Sequence, residues 1–353
     1  MKKLNFIIKC GLALLLLSFY SCESWLNVTP SDRLSEEMLF NDREGSVKAL
    51  NGVYIELNTN ELYGRNLTAG ALDVMGQYYS VASSSHAFYN YGGLVYTGND
   101  EKALFDNMWQ KCYAVIACCN TIIEKCDENK AGLSPVWKGA IKGEALALRA
   151  MLHFDMLRLF GPLTSELDKE SIPYQTNSDQ TVTPLLSGSE VVGLILDDLK
   201  NAVGLLKDTD PYFVEEEFSD TDLNYRRFRM NYFAAKGLMA RVQLWGGDKE
   251  KAAATAKEVI AEGQAEGAEF FPFVTNSEAT SSNPDRVFYS EVLFGTYHSS
   301  REKLHEDLFA PTLESTSILT LAGTARRDDL YDNENDYRYS VWSTYNKNGT
   351  SVL

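Results

Sequence analysis

The segment 230–263 constrains the fold more than any other part of this chain, because it reads as a helix, a two-glycine turn and a second helix. Small apolar residues recur at helical spacing on both sides of the Gly246–Gly247 turn. Helices whose contact faces carry alanine can approach one another closely. The pattern therefore predicts an antiparallel helix pair. Its predicted contact positions are Ala234, Ala235, Leu238, Ala240 and Leu244 on the first helix, and Ala252, Ala256 and Ile260 on the second.

A second close-packing helix is predicted over 143–163, which reads GEALALRAMLHFDMLRLFGPL. Asp155 and Arg158 are three residues apart, so they can pair on its surface. No second histidine lies near His153, which we interpret as a packed or surface side chain. We expect the whole segment to be scaffold and not ligand site. Its predicted core positions are Ala145, Leu148, Leu152, Met156 and Leu159, with Ala147 and Ala150 at the flanks.

The fold class expected from these patterns is mainly α, with helical pairs forming a single scaffold, long irregular loops and minor extended segments. The pair at 230–263 resembles a tetratricopeptide unit, although no strict repeat of that length runs through the chain. Further helices are predicted after a cap at Ser35, and over 62–79, 100–129, 135–160, 187–206 and 301–310. Loops are predicted over 80–99, 161–186 and 207–229, and strand or extended chain over 274–296.

The N-terminus has the features of a secretory signal. Lys2 and Lys3 precede a continuous apolar run, 11–17, which is too short to span a membrane. The signal-like segment ends at Cys22, which is predicted to be the lipid-attachment site of a bacterial lipoprotein. The alternative is an ordinary signal peptide whose cleavage site lies near this cysteine. The expected organisation is a signal peptide over 1–21, an extended tether over 22–34 and one helical domain over 35–353.

Charge and cysteine spacing exclude several classes of partner. The formal net charge of −16 argues against nucleic acid, because phosphate binding needs a basic surface. Cys112, Cys119 and Cys126 are seven residues apart on a predicted helix, so their Cα atoms would be roughly 10 Å apart, too far for a disulfide. We expect these cysteines and Cys118 to be small buried residues on one helix face. A zinc site is not expected, because no second ligand cluster is visible.

No catalytic motif is visible. The chain has neither HExxH nor GxSxG, and its glycine pairs lack the Lys-Ser/Thr of a phosphate loop. The sequence DTDLN at 220–224 lacks the glycine and distal glutamate of a calcium loop. We therefore expect no enzyme activity, no cofactor and no metal, although 49 acidic residues leave a pair of glycosidase carboxylates open.

The loop from Gln77 to Asn99 has the composition of a sugar-binding loop, and Asp73, one helical turn before Gln77, could reach the same surface. Sugar rings offer an apolar face to aromatic side chains and a rim of hydroxyls to polar ones. Alternatively, half of these rings are core and anchor the loop. The candidate residues are Asp73, Gln77, Tyr78, Tyr79, His86, Phe88, Tyr89, Asn90, Tyr91, Tyr96 and Asn99. A second candidate set near the end comprises Tyr331, Tyr337, Tyr339, Trp342 and Tyr345.

Three segments in order carry a family resemblance: WLNVTPSDRLSEEMLF, GEALALRAMLHFDMLRLFG and RMNYFAAKGLMARVQLWGGDKEKAAATAKEVI. Together with the lipoprotein signal, they resemble the RagB/SusD family of nutrient-binding outer-membrane lipoproteins from Bacteroidetes-type bacteria. In the middle segment Glu144, Arg149, Arg158 and Phe160–Gly161 match. The resemblance implies a surface-exposed, lipid-anchored helical body whose loops capture glycans or peptides, and which acts as a lid over a TonB-dependent, SusC-like porin.

Two alternatives stay open beside this interpretation. One is a helical-repeat envelope adaptor that binds a protein partner and no small ligand, and the other is a glycan hydrolase. Family members usually finish with a C-terminal segment that packs back on the scaffold, whereas this chain stops in DYRYSVWSTYNKNGTSVL. It is therefore either a short member or one whose end is missing.

Overall fold

The structure, a computed structural model, describes residues 36–321 except 82, 180, 266 and 267. Beyond them it describes 328, 329, 331, 333, 335, 336, 339, 345–347 and 350–352. The expected signal and tether, with Cys22, and the candidate rings Tyr337 and Trp342 lie outside the described residues.

The described part of the chain is mainly helical, as predicted. The helices are α1 (Glu36–Leu39), α2 (Arg43–Leu57), α3 (Ala71–Met75), α4 (Tyr89–Gly92), α5 (Asn99–Glu128), α6 (Pro135–Phe160), α7 (Gly188–Thr209), α8 (Asp220–Asn224), α9 (Tyr232–Trp245), α10 (Lys249–Gly263), α11 (Asn276–Ala279) and α12 (Arg301–Leu308). Three short antiparallel pairs join β1 (Glu170–Pro173) to β2 (Leu185–Ser187), β3 (Gln264–Ala265) to β4 (Ala268–Glu269), and β5 (Tyr345–Lys347) to β6 (Thr350–Val352). No helix of these described ranges has both the length and the hydropathy to cross a membrane.

The long helices other than α5 begin at side chains that cap their free backbone N–H groups. Ser134 accepts a hydrogen bond from the third helical N–H of α6, and Pro135 occupies the first helical position, where no N–H donor is needed. Ser187 and Glu190 form a reciprocal capping box at the start of α7. At the start of α9, the side-chain oxygen of Asn231 accepts a hydrogen bond from the backbone N–H of Ala234. These caps explain why the predicted helix starts agree closely with the observed ones.

The long helices stack side by side in the order α2, α5, α6, α7, α9, α10. Their facing sides form one large apolar core that includes Phe154, Phe233 and Leu148. This arrangement is a scaffold of tetratricopeptide-like pairs, as expected. The alanine-rich face of α6 packs against α5 and α7.

Glycine allows α6 and α7 to approach most closely. A Cβ atom added to Gly139 would lie 2.5 Å from the side chain of Thr209, and one added to Gly143 would lie 2.8 Å from Cγ of Leu206. Real Cβ atoms do not approach other heavy atoms so closely, so larger residues at these two positions would push the helices apart.

The helix pair α9–α10 is present, but the prediction was wrong for two residues that were expected to lie in its contact face. Leu244 is 57% exposed and Ile260 is 51% exposed. The buried face of α10 instead runs through Ala252, Thr255 and Val259. The spacing Ala252, Ala256, Ile260 advances only in steps of four, so it drifts away from the contact line of a helix with 3.6 residues per turn.

The predicted helix over 62–79 was also wrong. Turns occupy most of it and only α3 is helical. Glycine explains the difference: a Cβ atom on Gly64 would lie 2.2 Å from the carbonyl oxygen of Asn58, a contact that only glycine permits. The region 274–296 contains no strand either, although strand or extended chain was predicted; α11 and a short 3-10 turn at Tyr289–Glu291 interrupt it.

The four described cysteines are free thiols on α5. Cys112, Cys119 and Cys126 are buried on one face, as predicted, whereas Cys118 is exposed and does not share it. Helical geometry explains the difference, because residue 118 is rotated by about 100° from its neighbour at 119.

Buried ion pairs hold the helices and the loop over 207–229 in place. Arg149 on α6 donates two hydrogen bonds of 2.7 Å to Asp198 on α7. Arg226 is bidentate with Asp210 and also pairs with Glu144. Two of the family-matching residues, Glu144 and Arg149, therefore stabilise the scaffold.

Candidate functional site

Part of the predicted sugar-binding loop is a small core of its own. Phe88 and Tyr91 pack with Leu308 of α12 and with Leu319, separately from the main core. Burial raises the pKa of Tyr91 to about 12. His86 is also buried, and its Nδ1 accepts a hydrogen bond from the backbone N–H of Phe88 at 3.0 Å. These side chains anchor the loop, which was the alternative left open for half of its rings.

A cleft of about 590 Å³ lies between the segment 63–78 and the helices α6 and α9. We call it the main cleft. Its size is in the range of sites that take small ligands. It is lined by Tyr63, Leu67, Leu72, Asp73, Met75, Gly76, Tyr78, Met151, Phe154, Asp155, Arg158, Leu159, Leu238, Arg241 and Trp245.

Aromatic rings form part of the main cleft. Tyr78, at the rim, is 48% exposed. Trp245, the last residue of α9, stands edge-on to the buried ring of Phe154, with 5.8 Å between ring centroids. That contact holds the indole in one orientation, so its remaining surface is a preformed apolar platform.

A network of polar groups lies beside these rings. The hydroxyl of Tyr63 donates to Oδ2 of Asp155 at 2.6 Å, and Nη1 of Arg158 donates to Oδ1 at 3.0 Å. The predicted Asp155–Arg158 pair is therefore present. Both carboxylate oxygens are engaged, which fixes Arg158 at the edge of the cleft with its other donors available.

Asp73 supplies a second carboxyl group, from α3 on the other wall. Burial raises the pKa of this carboxyl to about 6. Near neutral pH it is mostly an ionised acceptor, and below pH 6 it becomes a donor as well. The main cleft therefore combines ring surface with hydrogen-bonding groups of both kinds.

Gln77 separates the main cleft from a second one of about 450 Å³, which we call the side cleft. The backbone φ of Gln77 is 61°, in the left-handed region that residues other than glycine rarely adopt. Its amide nitrogen donates to the carbonyls of Val74 and Gly92, at 3.2 and 3.1 Å, which helps to hold the turn. The side cleft is lined by Gln77, Tyr79, Ser80, Val81, Tyr89, Asn90, Gly92, Gly93 and Val95.

The structure divides the predicted site residues into three groups. Asp73 and Tyr78 line the main cleft. Gln77, Tyr79, Tyr89 and Asn90 line the side cleft. The remaining predicted residues line neither cleft: they are His86, Phe88, Tyr91, Tyr96 and Asn99. The ring of Tyr96 packs edge-on against Phe105, and Asn99 is exposed at the start of α5.

Two rings of the second candidate set are described with their surroundings. Burial first, and then the nearby Asp73 and Tyr331, raise the pKa of Tyr79 to about 12, which places Tyr331 close to the side cleft. The hydroxyl of Tyr339 donates to Asp328 at 2.9 Å. Tyr345 belongs to β5.

The sequence interpretation missed the wall of the main cleft that α6 and α9 contribute. Arg158 and Asp155 belong to the segment 143–163, which we expected to be scaffold only. Its small buried face packs in the core, whereas its last turns point polar residues into the cleft. One feature of the sequence pointed to this wall: Trp245 lies directly before the two-glycine turn. A large ring at the end of a helix has few core neighbours to cover it, so part of it stays available to a ligand.

The described residues, 36–321 with their four gaps and the short stretches beyond, contain no group of three His, Cys, Asp or Glu side chains that could hold a metal ion. DTDLN at 220–224 is the short helix α8 and not a calcium loop.

Comparison with known proteins agrees with this fold. A SusD-like protein of Formosa agariphila, P2, is 26% identical over 265 residues, which make up 73% of this chain and 46% of that protein. A SusD-like protein of Bacteroides ovatus is 30% identical over 146 residues, 40% of this chain and 23% of that protein. The chain thus spans less than half the length of these two relatives.

Solved structures show the same fold. A SusD-like carbohydrate binding protein from Bacteroides vulgatus superposes with a TM-score of 0.66 at 21% identity, over 88% of this chain and 63% of that one. A SusD superfamily protein from Bacteroides thetaiotaomicron gives a TM-score of 0.60 at 18% identity, over 84% and 64% of the two chains. A laminarin binding SusD-like protein gives 0.50 at 17% identity, over 70% and 50%.

A SusD-like family model, described as starch-binding and associating with the outer membrane, matches residues 24–244. Because that range is well over half of the chain, the protein belongs to the SusD-like family.

Proposed function

We propose that the protein is a surface-exposed outer-membrane lipoprotein that binds oligosaccharides in the main cleft and delivers them to a TonB-dependent, SusC-like porin. One observation carries the binding part: Trp245 and Tyr78 present ring surface in the same cleft as the polar groups of Asp73, Asp155 and Arg158. Sugar rings need this combination, because they have an apolar face and a rim of hydroxyl groups.

The relatives support glycans as the ligand class. The family description names starch binding, one solved neighbour is called carbohydrate binding, and another binds laminarin. The identity of the glycan differs among these proteins, and it depends on loops and rim residues more than on the shared helices.

We propose that the bound glycan is released unchanged. Hydrolysis of a glycosidic bond ordinarily uses two carboxyl groups, one to donate a proton and one to attack or to activate water. In the main cleft both oxygens of Asp155 are engaged by Tyr63 and Arg158, which leaves Asp73 as the carboxyl group free for proton transfer.

The binding test is a glycan panel measured by calorimetry on the purified full chain in detergent, with chromatography of the recovered sugar. We expect at least one oligosaccharide to bind and to be recovered intact. A protein that binds a porin but no sugar would be the envelope adaptor instead, and shortened sugars in the recovered fraction would indicate a hydrolase.

The proposed membrane attachment is through lipid on Cys22, since a signal-like segment with a short apolar run ends at this residue. More than one acyl chain would be needed for stable anchoring. Cells grown with labelled palmitate should yield labelled wild-type protein and unlabelled Cys22→Ala protein. Equal labelling of the two proteins would refute lipid attachment at this residue.

Delivery to a porin is proposed from the family's association with the outer membrane. Gentle solubilisation of the envelope, followed by capture of this protein, should recover a TonB-dependent porin in a fixed ratio. Recovery of this protein alone, under conditions that keep other envelope complexes together, would count against a stable partner.

A further inference from the structure

Arg241 is an exposed cation that lines the main cleft. Its guanidinium has no ion-pair or hydrogen-bond partner among the described residues. The chain has 49 acidic residues and only 33 basic ones, so acceptors for a guanidinium are plentiful on its surface. A cleft arginine that is unpaired in so acidic a chain is therefore available to a ligand.

The other charged groups of the cleft do not occupy Arg241. Asp155 is held by Tyr63 and Arg158, at 2.6 and 3.0 Å. The pKa of Asp73 is raised by burial alone, with no cation lowering it, so Arg241 is not seated against that carboxyl either. The cleft thus presents one guanidinium that is already neutralised and one that is not.

We propose that the oligosaccharide taken by the main cleft is anionic, and that Arg241 binds its charged substituent, a uronate carboxylate or a sulfate ester. This inference rests on the proposed glycan-binding function. A planar guanidinium can donate two parallel hydrogen bonds to such a group, and no carboxylate of the cleft has to be displaced from Arg241 first. Trp245 and Tyr78 would contact the sugar rings, so the charge selects among glycans while the rings supply contact area.

The test uses pairs of sugars that differ only in charge. One pair is oligogalacturonate and its methyl ester, and the other is sulfated laminarin and laminarin. Calorimetry with the full chain should show that at least one charged member binds about tenfold tighter than its neutral partner at low salt. The preference should shrink in concentrated salt, because exposed charges are screened. The pair that shows the preference identifies the substituent.

The Arg241→Gln variant keeps a polar side chain of similar shape and removes the charge. It should lose the preference and bind the neutral sugar as the wild type does. Arg286→Gln, which changes an exposed arginine that does not line the cleft, is the matched control and should keep the preference. Unchanged melting curves for both variants would verify that they fold.

Equal binding of charged and neutral members by the wild type, or an equal loss for both in Arg241→Gln, would overturn the inference while the proposed glycan binding stands. Failure of every sugar to bind would overturn the proposed function, and this inference with it.

Discussion

The imidazole of His153 is stacked on the phenol ring of Tyr174, with 3.9 Å between ring centroids and 22° between ring planes. Its Nε2 accepts a hydrogen bond from the backbone N–H of Gln175 at 3.0 Å, and its Nδ1 lies 2.9 Å from the carbonyl oxygen of Arg149. The two contacts together fix a neutral ring that carries its proton on Nδ1. His153 therefore joins α6 to the chain after β1, and of the two possibilities left by the sequence, a packed or a surface side chain, it is the packed one.

Acid should destabilise the protein through His153. Burial, with a further contribution from the charge of Arg149, lowers the pKa of this imidazole to about 3. Between pH 6.5 and 3 the unfolded chain takes up a proton that the folded chain excludes, so the free energy of unfolding falls as pH falls, by roughly 5 kcal/mol in total. Nitrogen NMR should show a neutral His153 ring at pH 5. An imidazolium signature there, in folded protein, would contradict the assigned hydrogen bonds.

The pair of Arg149 and Asp198 should be far more important for stability than a pair on the surface. Replacing Arg149 by Met leaves the Asp198 carboxylate buried without its partner, which costs about 3–5 kcal/mol. Urea unfolding of the purified protein measures this directly. Lys48→Ala breaks an exposed pair with Glu44 on α2 and should leave the midpoint unchanged. Similar midpoints for the two variants would show that the buried pair is not what joins α6 to α7.

Glycine at position 143 should be required by helix packing. In Gly143→Ala the new methyl group would meet Leu206, so we expect a loss of about 1–3 kcal/mol in the free energy of unfolding. Gly204 lies on α7 with open space around it, so Gly204→Ala should stabilise by about 0.5–1 kcal/mol through lower entropy of the unfolded chain. If Gly143→Ala lowers the free energy of unfolding while Gly204→Ala raises it, the close approach of α6 and α7 is confirmed. A change of the same sign in both variants would argue against it.

The scaffold could be predicted from sequence because its helices bury one face each and, apart from α5, begin at recognisable capping side chains. The apolar spacing of α6 and the serine before it determine that helix almost to the residue. The segment 62–79 has similar spacing, but Gly64 lies in a turn that brings it against the carbonyl of Asn58, a contact that depends on the folded backbone and not on apolar spacing. Periodicity alone does not contain that information.

The candidate site was less predictable than the scaffold, for a physical reason. Tyr91 and Tyr78 belong to the same tyrosine-rich segment, yet one is buried against Leu308 and the other is exposed in the main cleft. Which ring is buried depends on where α12 and the chain after it pack, more than 200 residues later in the sequence. Likewise, Trp245 and Asp73 come together only through the stacking order of the helices.

The substitution Trp245→Ala tests the main cleft most directly. The affinity of a bound oligosaccharide, measured by calorimetry, should fall about tenfold or more when this ring is removed, because the sugar loses an aromatic platform. Tyr78→Ala should weaken binding as well, whereas Tyr297→Ala, which removes an exposed ring outside both clefts, should not. Wild-type affinity in Trp245→Ala and Tyr78→Ala, with a loss in Tyr89→Ala, would contradict binding in the main cleft and place the sugar in the side cleft.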